Sequence, residues 1–100
     1  MARTKLSESQ IRDRLAALPG WTYDGGKLHR EYRFPDFVAA FGFMASAALV
    51  AQAMDHHPEW FNVYASVRID LTTHDAGGVT ERDFALAERM EGLARPLLRT

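Results

Sequence analysis

The chain has 100 residues, of which 47% are hydrophobic and 25% are charged, and its formal net charge at pH 7 is −1. This length and composition are those of an ordinary soluble globular protein, and residues 1–100 are interpreted as a single domain. The nearly balanced charge provides no basic surface for nucleic acid. The sequence contains no cysteine, which excludes disulfides and thiolate metal sites.

The first third of the chain predicts a short helix followed by a β-hairpin. Met1–Lys5 is positively charged but no apolar segment follows it, so we expect no secretory signal and a cytoplasmic protein. The capping box Ser7–Gln10 starts the helix, and Pro19 with Gly20 stops it. The stretches 21–24 and 27–34 flank Gly25-Gly26 and predict two strands. Arg30 interrupts the apolar side of the second strand, which indicates a partly open face, and His29 is expected to be a solvated surface histidine.

The most apolar segment is a predicted helix over residues 36–54, in which no charge occurs from Phe37 to Met54. Its length touches the lower limit for a membrane span. We reject that interpretation because the segment is mostly alanine and lacks flanking basic anchors. A helix that is apolar on all sides must be covered on several of them. We therefore expect this helix to form a homodimer or homotetramer interface, rather than to be buried within one copy.

The second half of the chain predicts two more strands and a last helix. Residues 60–64 are rich in aromatic and β-branched side chains, and residues 67–72 alternate between apolar and polar. Thr80 caps the final helix, which Pro96 should end. The element order α-β-β-α-β-β-α predicts an α+β fold, with a four-stranded antiparallel sheet and three helices on one face.

Three histidines are candidates for chemistry. His56 and His57 fall in the loop after the central helix, and His74 follows the last strand, so a hairpin would bring them to one sheet edge. Asp83 is close enough in sequence to orient one of the rings. Three interpretations remain open: metal binding, for which compact ligand spacing is missing; general acid–base catalysis; and histidines that only satisfy backbone groups. In the catalytic case Trp60, with Phe61 and Tyr64, could offer a flat apolar wall to a planar substrate.

Four blocks of the sequence resemble the pterin-4a-carbinolamine dehydratase family. The blocks are Phe37–Met44, Asp55–Tyr64 (Asp-His-His-Pro-Glu-Trp-Phe-Asn-Val-Tyr), Leu71–Asp75 (Leu-Thr-Thr-His-Asp) and Gly78–Asp83 (Gly-Val-Thr-Glu-Arg-Asp). The resemblance implies dehydration of 4a-hydroxytetrahydropterin, the product of aromatic amino acid hydroxylation, to quinonoid dihydropterin. It implies that no metal or organic cofactor takes part, and that the enzyme is a homo-oligomer joined through the central helix.

The resemblance also implies roles for individual residues. His56, His57 and His74 match the catalytic histidines, with His56 and His74 in general acid–base roles and His57 mainly in substrate binding. Asp83 matches the terminal aspartate of the motif. The residues that match the lining of the pterin site are His56, His57, Pro58, Thr73, His74, Asp75 and Ala76.

Position 52 departs from the family pattern, in which a glutamate commonly lies four residues before the first histidine. Gln52 should lie one helical turn below His56 and could hydrogen-bond it, but it supplies no negative charge. The alternative to an enzyme is an interaction module that binds a protein partner through its apolar central helix and has a vestigial pocket.

Overall fold

The predicted order of helices and strands is confirmed in the computed structural model, which describes residues 4–98. One 3-10 turn, His74–Ala76, lies between the last strand and the last helix. The helices and strands are α1 (Glu8–Leu15), β1 (Thr22–Asp24), β2 (Lys27–Arg33), α2 (Phe37–Met54), β3 (Glu59–Val63), β4 (Ser66–Leu71) and α3 (Glu81–Leu98).

The four strands form one antiparallel sheet in the order β1-β2-β4-β3. The two hairpins are joined by pairing of β2 with β4, in a register that places Leu28 opposite Leu71 and Tyr32 opposite Val67. These four side chains are buried on the side that faces the helices, while alternate residues such as His29 and Arg68 point to the open side. β3 is an edge strand, and Glu59 is its first residue.

Helix α2 covers the sheet with one face only. Ala40, Phe43, Ala47 and Ala51 recur at helical spacing and are its buried residues, and α3 packs beside it. By length and composition α2 could cross a membrane, and 22% of it is buried within the structure. The side-chain carboxylate of Asp36 caps its N-terminus by accepting from the Ala39 N–H.

The end of α2 turns the chain sharply into the histidine loop. Asp55 has left-handed backbone torsions (φ 52°, ψ 44°), and the His56 N–H donates back to the Ala51 carbonyl. This is a common way to satisfy the last carbonyls of a helix, although glycine or asparagine is the usual residue. The reversal places His56 directly beneath the start of α3.

Two local expectations, one about α3 and one about β2, differ from the structure. Helix α3 continues through Pro96 to Leu98 rather than ending at the proline. The proline removes only the bond to the carbonyl of Gly92, a residue on the exposed side of the helix where water can replace the donor. The face at Arg30 is largely covered, because the guanidinium lies over the Tyr32 ring, 4.2 Å from the ring centroid, and the Arg30 side chain is 20% exposed.

Candidate active site

A cavity of about 330 Å³ opens where the end of α2, the turn after β4 and the start of α3 meet. This is the sheet edge at which the sequence predicted the histidines to converge, and all three of them line it. The lining residues are Asp55, His56, His57, Thr72, Thr73, His74, Asp75 and Arg82.

His56 is held by a carboxylate at the base of this cavity. Its Nε2 lies 2.5 Å from Oδ1 of Asp83; the histidine is 7% exposed and the aspartate is fully buried. The other carboxylate oxygen accepts from the Thr73 hydroxyl (2.8 Å) and from the Thr80 N–H (2.9 Å). Three donors thus compensate the burial of Asp83.

This arrangement fixes the tautomer of His56. An ionised carboxylate is only an acceptor, so Nε2 carries the proton and Nδ1 is left for chemistry. Nδ1 has no protein hydrogen-bond partner within residues 4–98. A buried aspartate that orients a histidine in this way also stabilises the positive charge that the ring acquires when it takes up a proton.

His57 has a different partner, and here the expectation for Gln52 is wrong. Its Nε2 lies 2.9 Å from Oε1 of Gln52, so the glutamine contacts His57 rather than His56. The helical spacing argument fails because α2 ends at Met54 and the left-handed Asp55 rotates His56 away toward Asp83. The amide oxygen can only accept, so His57 also donates from Nε2.

His74 is the exposed member of the group, with 79% of its side chain accessible. Its Nε2 lies 3.0 Å from Oε2 of Glu59, whose other oxygen accepts from the Lys27 ammonium at 2.6 Å. The Lys27 hydrogen bond is the largest influence that lowers the pKa of the Glu59 carboxyl, and a smaller lowering comes from His74. Glu59 is therefore ionised near neutral pH, and His74 must donate from Nε2.

Arg82 and Asp55 line the cavity, although sequence reasoning did not single them out. The Arg82 guanidinium donates to the backbone carbonyls of Met54 (3.0 Å) and Asp55 (2.6 Å). It therefore ties α3 to the C-terminal end of α2, where a cation is favourable for the helix dipole. The available signal was position: Arg82 immediately precedes Asp83 within the motif.

The structure separates the remaining predicted residues into two groups. Thr73 and Asp75 line the cavity, whereas Pro58 and Ala76 only flank residues that do. The predicted aromatic rings do not line this cavity: Trp60 packs against the core and borders a separate hollow on the sheet, and Tyr64 is 66% exposed at the β3–β4 turn. Adjacent strand residues point to opposite faces, and none of these rings faces the histidines.

Outside this cavity, the structure shows the surroundings of His29 and how the histidine and acidic side chains are grouped. His29 is half-exposed on the open side of the sheet and its Nδ1 lies 2.9 Å from Oδ1 of Asp70, so it is paired rather than simply solvated. Over residues 4–98, no three histidine or acidic side chains converge in a way that could hold a metal ion.

Comparison with known proteins places this site in a family. The family model described as pterin 4 alpha carbinolamine dehydratase matches residues 4–93. Two relatives, each named "Putative pterin-4-alpha-carbinolamine dehydratase", come from Solibacter usitatus and Prochlorococcus marinus. The first is 63% identical over 91% of this chain and 96% of its own length. The second is 53% identical over 88% of this chain and 92% of its own.

Solved structures agree with these matches. A transcriptional coactivator/pterin dehydratase from Brucella melitensis superimposes with a TM-score of 0.88 at 48% identity, covering 91% of this chain and 99% of that one. A pterin dehydratase-like RuBisCO assembly factor of the alpha-carboxysome has a TM-score of 0.62 at 21% identity, over 74% of this chain and 86% of its own, and shares the fold alone. The family match and the relatives, together with the geometry of the histidine cavity, show that this chain belongs to the pterin 4 alpha carbinolamine dehydratase family.

Proposed function

We propose that this protein dehydrates 4a-hydroxytetrahydropterin to quinonoid dihydropterin by histidine acid–base catalysis. The observation that carries the proposal is the convergence of His56, His57 and His74 on one cavity, with each Nε2 bonded to a protein acceptor. Every ring therefore has Nδ1 left for the substrate. All three of these Nε2 partners are side-chain oxygens rather than backbone groups. This disfavours the interpretation that the histidines only satisfy the backbone.

The chemistry requires two proton movements. The substrate carries a hydroxyl on C4a, next to the ring nitrogen N5. A proton delivered to the hydroxyl lets the C–O bond break with loss of water, while the nitrogen electrons form the C4a–N5 double bond and the N5 proton is removed. One histidine acts as the acid and another as the base, so no proton is gained or lost overall. Imidazole suits both steps near neutral pH.

The hydrogen-bond partners favour His56 and His74 for these steps. Each is bonded to a carboxylate, Asp83 or Glu59, which stabilises the imidazolium that proton uptake produces. His57 is bonded to the neutral amide of Gln52, which provides less stabilisation for a charged ring. This difference supports a role for His57 mainly in binding the pterin.

The wider setting is part of the same proposal. The reaction needs neither metal nor organic cofactor, because protons are the only species transferred besides water. It would serve tetrahydrobiopterin recycling after aromatic amino acid hydroxylation, in the cytoplasm. The protein's partners would be the pterin and further copies of itself, rather than nucleic acid or a membrane.

Self-association through α2 is supported by the exposed side of that helix. Val38 is 78% exposed, Phe41 55% and Leu49 75%, and residues 37–54 contain no charge. An uncharged apolar stripe of this length is unusual on a monomer surface and is typical of an interface. A homodimer or homotetramer would cover it.

The test follows formation of the quinonoid product by absorbance, with wild type, His56→Ala and His74→Ala. Each substitution should lower kcat on the order of 10²–10⁴-fold, the usual contribution of one acid–base group. His29→Ala is the matched control, because it removes a carboxylate-bonded histidine that lies outside the cavity; it should keep the wild-type rate. A wild-type rate no faster than the uncatalysed reaction would overturn the proposal and leave the interaction module.

A further inference from the structure

His74 has little around it to fix its ring. It begins a single 3-10 turn, and 79% of its side chain is exposed. His56, by contrast, is enclosed and bonded to a fully buried carboxylate. An exposed histidine normally samples several rotamers, and each step away from the productive geometry costs catalytic rate. Something other than packing must therefore hold this ring at the cavity.

Glu59 is the only described residue hydrogen-bonded to the His74 ring, at 3.0 Å from Oε2 to Nε2. It lies at the start of β3, where the neighbouring residues pair in a regular ladder with β4. Its other oxygen is bonded to Lys27 of β2, two strands away. The carboxylate is thus held independently of the histidine, because its backbone belongs to the sheet and its Oε1 is bonded to the Lys27 ammonium.

We infer that Glu59 is a positioning residue for His74, which orients the ring and stabilises its protonated form through the Oε2–Nε2 hydrogen bond while Lys27 holds the carboxylate in place. This inference rests on the proposed function. Glu59, at the sheet edge, then orients His74 as Asp83 orients His56. The cavity is then lined by two carboxylate-bonded histidines, one buried and one exposed.

The charges around Glu59 agree with this role. Lys27 faces it from β2 and Asp70 faces it from β4, directly opposite in register, with His29 bonded to Asp70. The pKa of the Lys27 ammonium is raised, first by its hydrogen bond to Glu59 and then by the charge of that carboxylate. The same contact lowers the pKa of the Glu59 carboxyl, so the carboxylate is ionised near neutral pH.

A purely structural role would give a different result on substitution. The Glu59 and Lys27 side chains are 41% and 39% exposed, and surface ion pairs of this kind contribute little to folding, about 0–1 kcal/mol. Loss of Glu59 should leave the fold intact. Its effect should appear in catalysis and in the state of the His74 ring.

The experiment compares Glu59→Gln and Glu59→Ala with wild type. The amide retains an acceptor but loses the charge, so its kcat should fall less than that of the alanine variant, which should fall about ten-fold, within the loss expected for His74→Ala. In a His74→Ala background, Glu59→Ala should cause no further loss, because the two residues act as one unit. Asp70→Asn removes a charge from the same sheet face without touching His74 and should leave kcat unchanged.

A second readout does not depend on activity. The ¹⁵N chemical shifts of the His74 ring should report the Nε2–H tautomer in wild type and in Asp70→Asn, and a mixture of tautomers in Glu59→Ala. An unchanged ring signal in Glu59→Ala would overturn the inference, as would an equal loss of kcat in the His74→Ala background. An inactive wild-type protein with the expected ring signals would instead overturn the proposed function and leave the Glu59–His74 coupling standing.

Discussion

Asp83 shows how a single buried carboxylate can serve both the fold and the site. It accepts from His56, from the Thr73 hydroxyl and from the Thr80 N–H. The bond from the Thr80 N–H lies at the N-terminal end of α3, and the bond from His56 fixes the tautomer of that ring. The same side chain therefore couples the position of a helix to the geometry of the cavity.

Asp83→Asn should weaken both functions. The amide nitrogen must face one of the three donors, so the unfolding free energy should fall by about 1.5–3 kcal/mol, the value of a hydrogen bond to a charged group. The kcat should fall on the order of 10²-fold because His56 loses its charge partner. Urea unfolding and the product assay measure the two effects, with Asp13→Asn on the exposed side of α1 as control. Unchanged activity would contradict the role given to Asp83.

Gln52→Glu tests which histidine senses position 52. A carboxylate there would stabilise the protonated form of His57, the ring that the glutamine contacts. Because His57 is assigned mainly to pterin binding, the pH dependence of kcat/KM should then move to higher pH. Gln52→Leu, which removes the acceptor without adding charge, should not produce this movement. An identical profile for wild type and Gln52→Glu would show that His57 does not titrate in the catalytic cycle.

Among the helices and strands, the hairpin is locked to α3 by a buried polar group. Glu91 of α3 accepts from the Tyr32 hydroxyl at 2.5 Å and from Trp21 Nε1 at 3.0 Å. Arg30 Nε lies 3.6 Å from the same carboxylate. Burial raises the pKa of the Tyr32 hydroxyl, and the neighbouring Glu91 raises it further. This explains why an arginine on the apolar side of β2 does not open that face.

Tyr32 should make the protein less stable at alkaline pH. Its folded pKa lies above the ordinary value of 10.0, so the unfolded chain releases the proton first as pH rises. The stabilisation is complete below pH 10 and is lost upward from there, by roughly 1.4 kcal/mol per pH unit for one such group. Unfolding free energies at pH 8 and pH 11 should show this loss in wild type and in the exposed control Tyr64→Phe. Tyr32→Phe should lack that part of the pH dependence.

At the scale of the whole molecule, one side of α2 is exposed in the single chain. The folded chain measures 37 × 25 × 20 Å, and the sheet and the other two helices leave α2 with only four buried residues. Stable interfaces bury about 1,200–2,000 Å² in total. Two copies that pack their α2 stripes together are the simplest way to reach such an area with this surface.

Leu49→Glu should therefore reduce the oligomeric state. A charge at this position, which is 75% exposed in the single chain, would have to be buried without a partner in the assembly. Light scattering coupled to size exclusion should give a smaller mass than for wild type. Glu88→Lys places a new charge on the exposed side of α3 and should leave the mass unchanged. A monomeric wild type would contradict the proposed self-association.

The sequence by itself determined the parts of this protein that depend on near neighbours. The capping box at Ser7, the alternation in β4 and the uncharged run of α2 are local patterns, and each predicted its element correctly. The histidine motif and its spacing also predicted the meeting of His56 with His74, because a hairpin returns the chain to the same edge.

The tertiary structure alone decided the contacts that join distant elements. Pairing of β2 with β4 brings Lys27 within hydrogen-bond distance of Glu59. The left-handed turn at Asp55 places His57 against Gln52 and His56 against Asp83. Spacing along one helix or strand cannot specify these pairs, since each depends on how a turn rotates the chain and on which elements lie side by side. The three candidate histidines could thus be predicted from the sequence, whereas the hydrogen-bond partner of each depends on the tertiary structure.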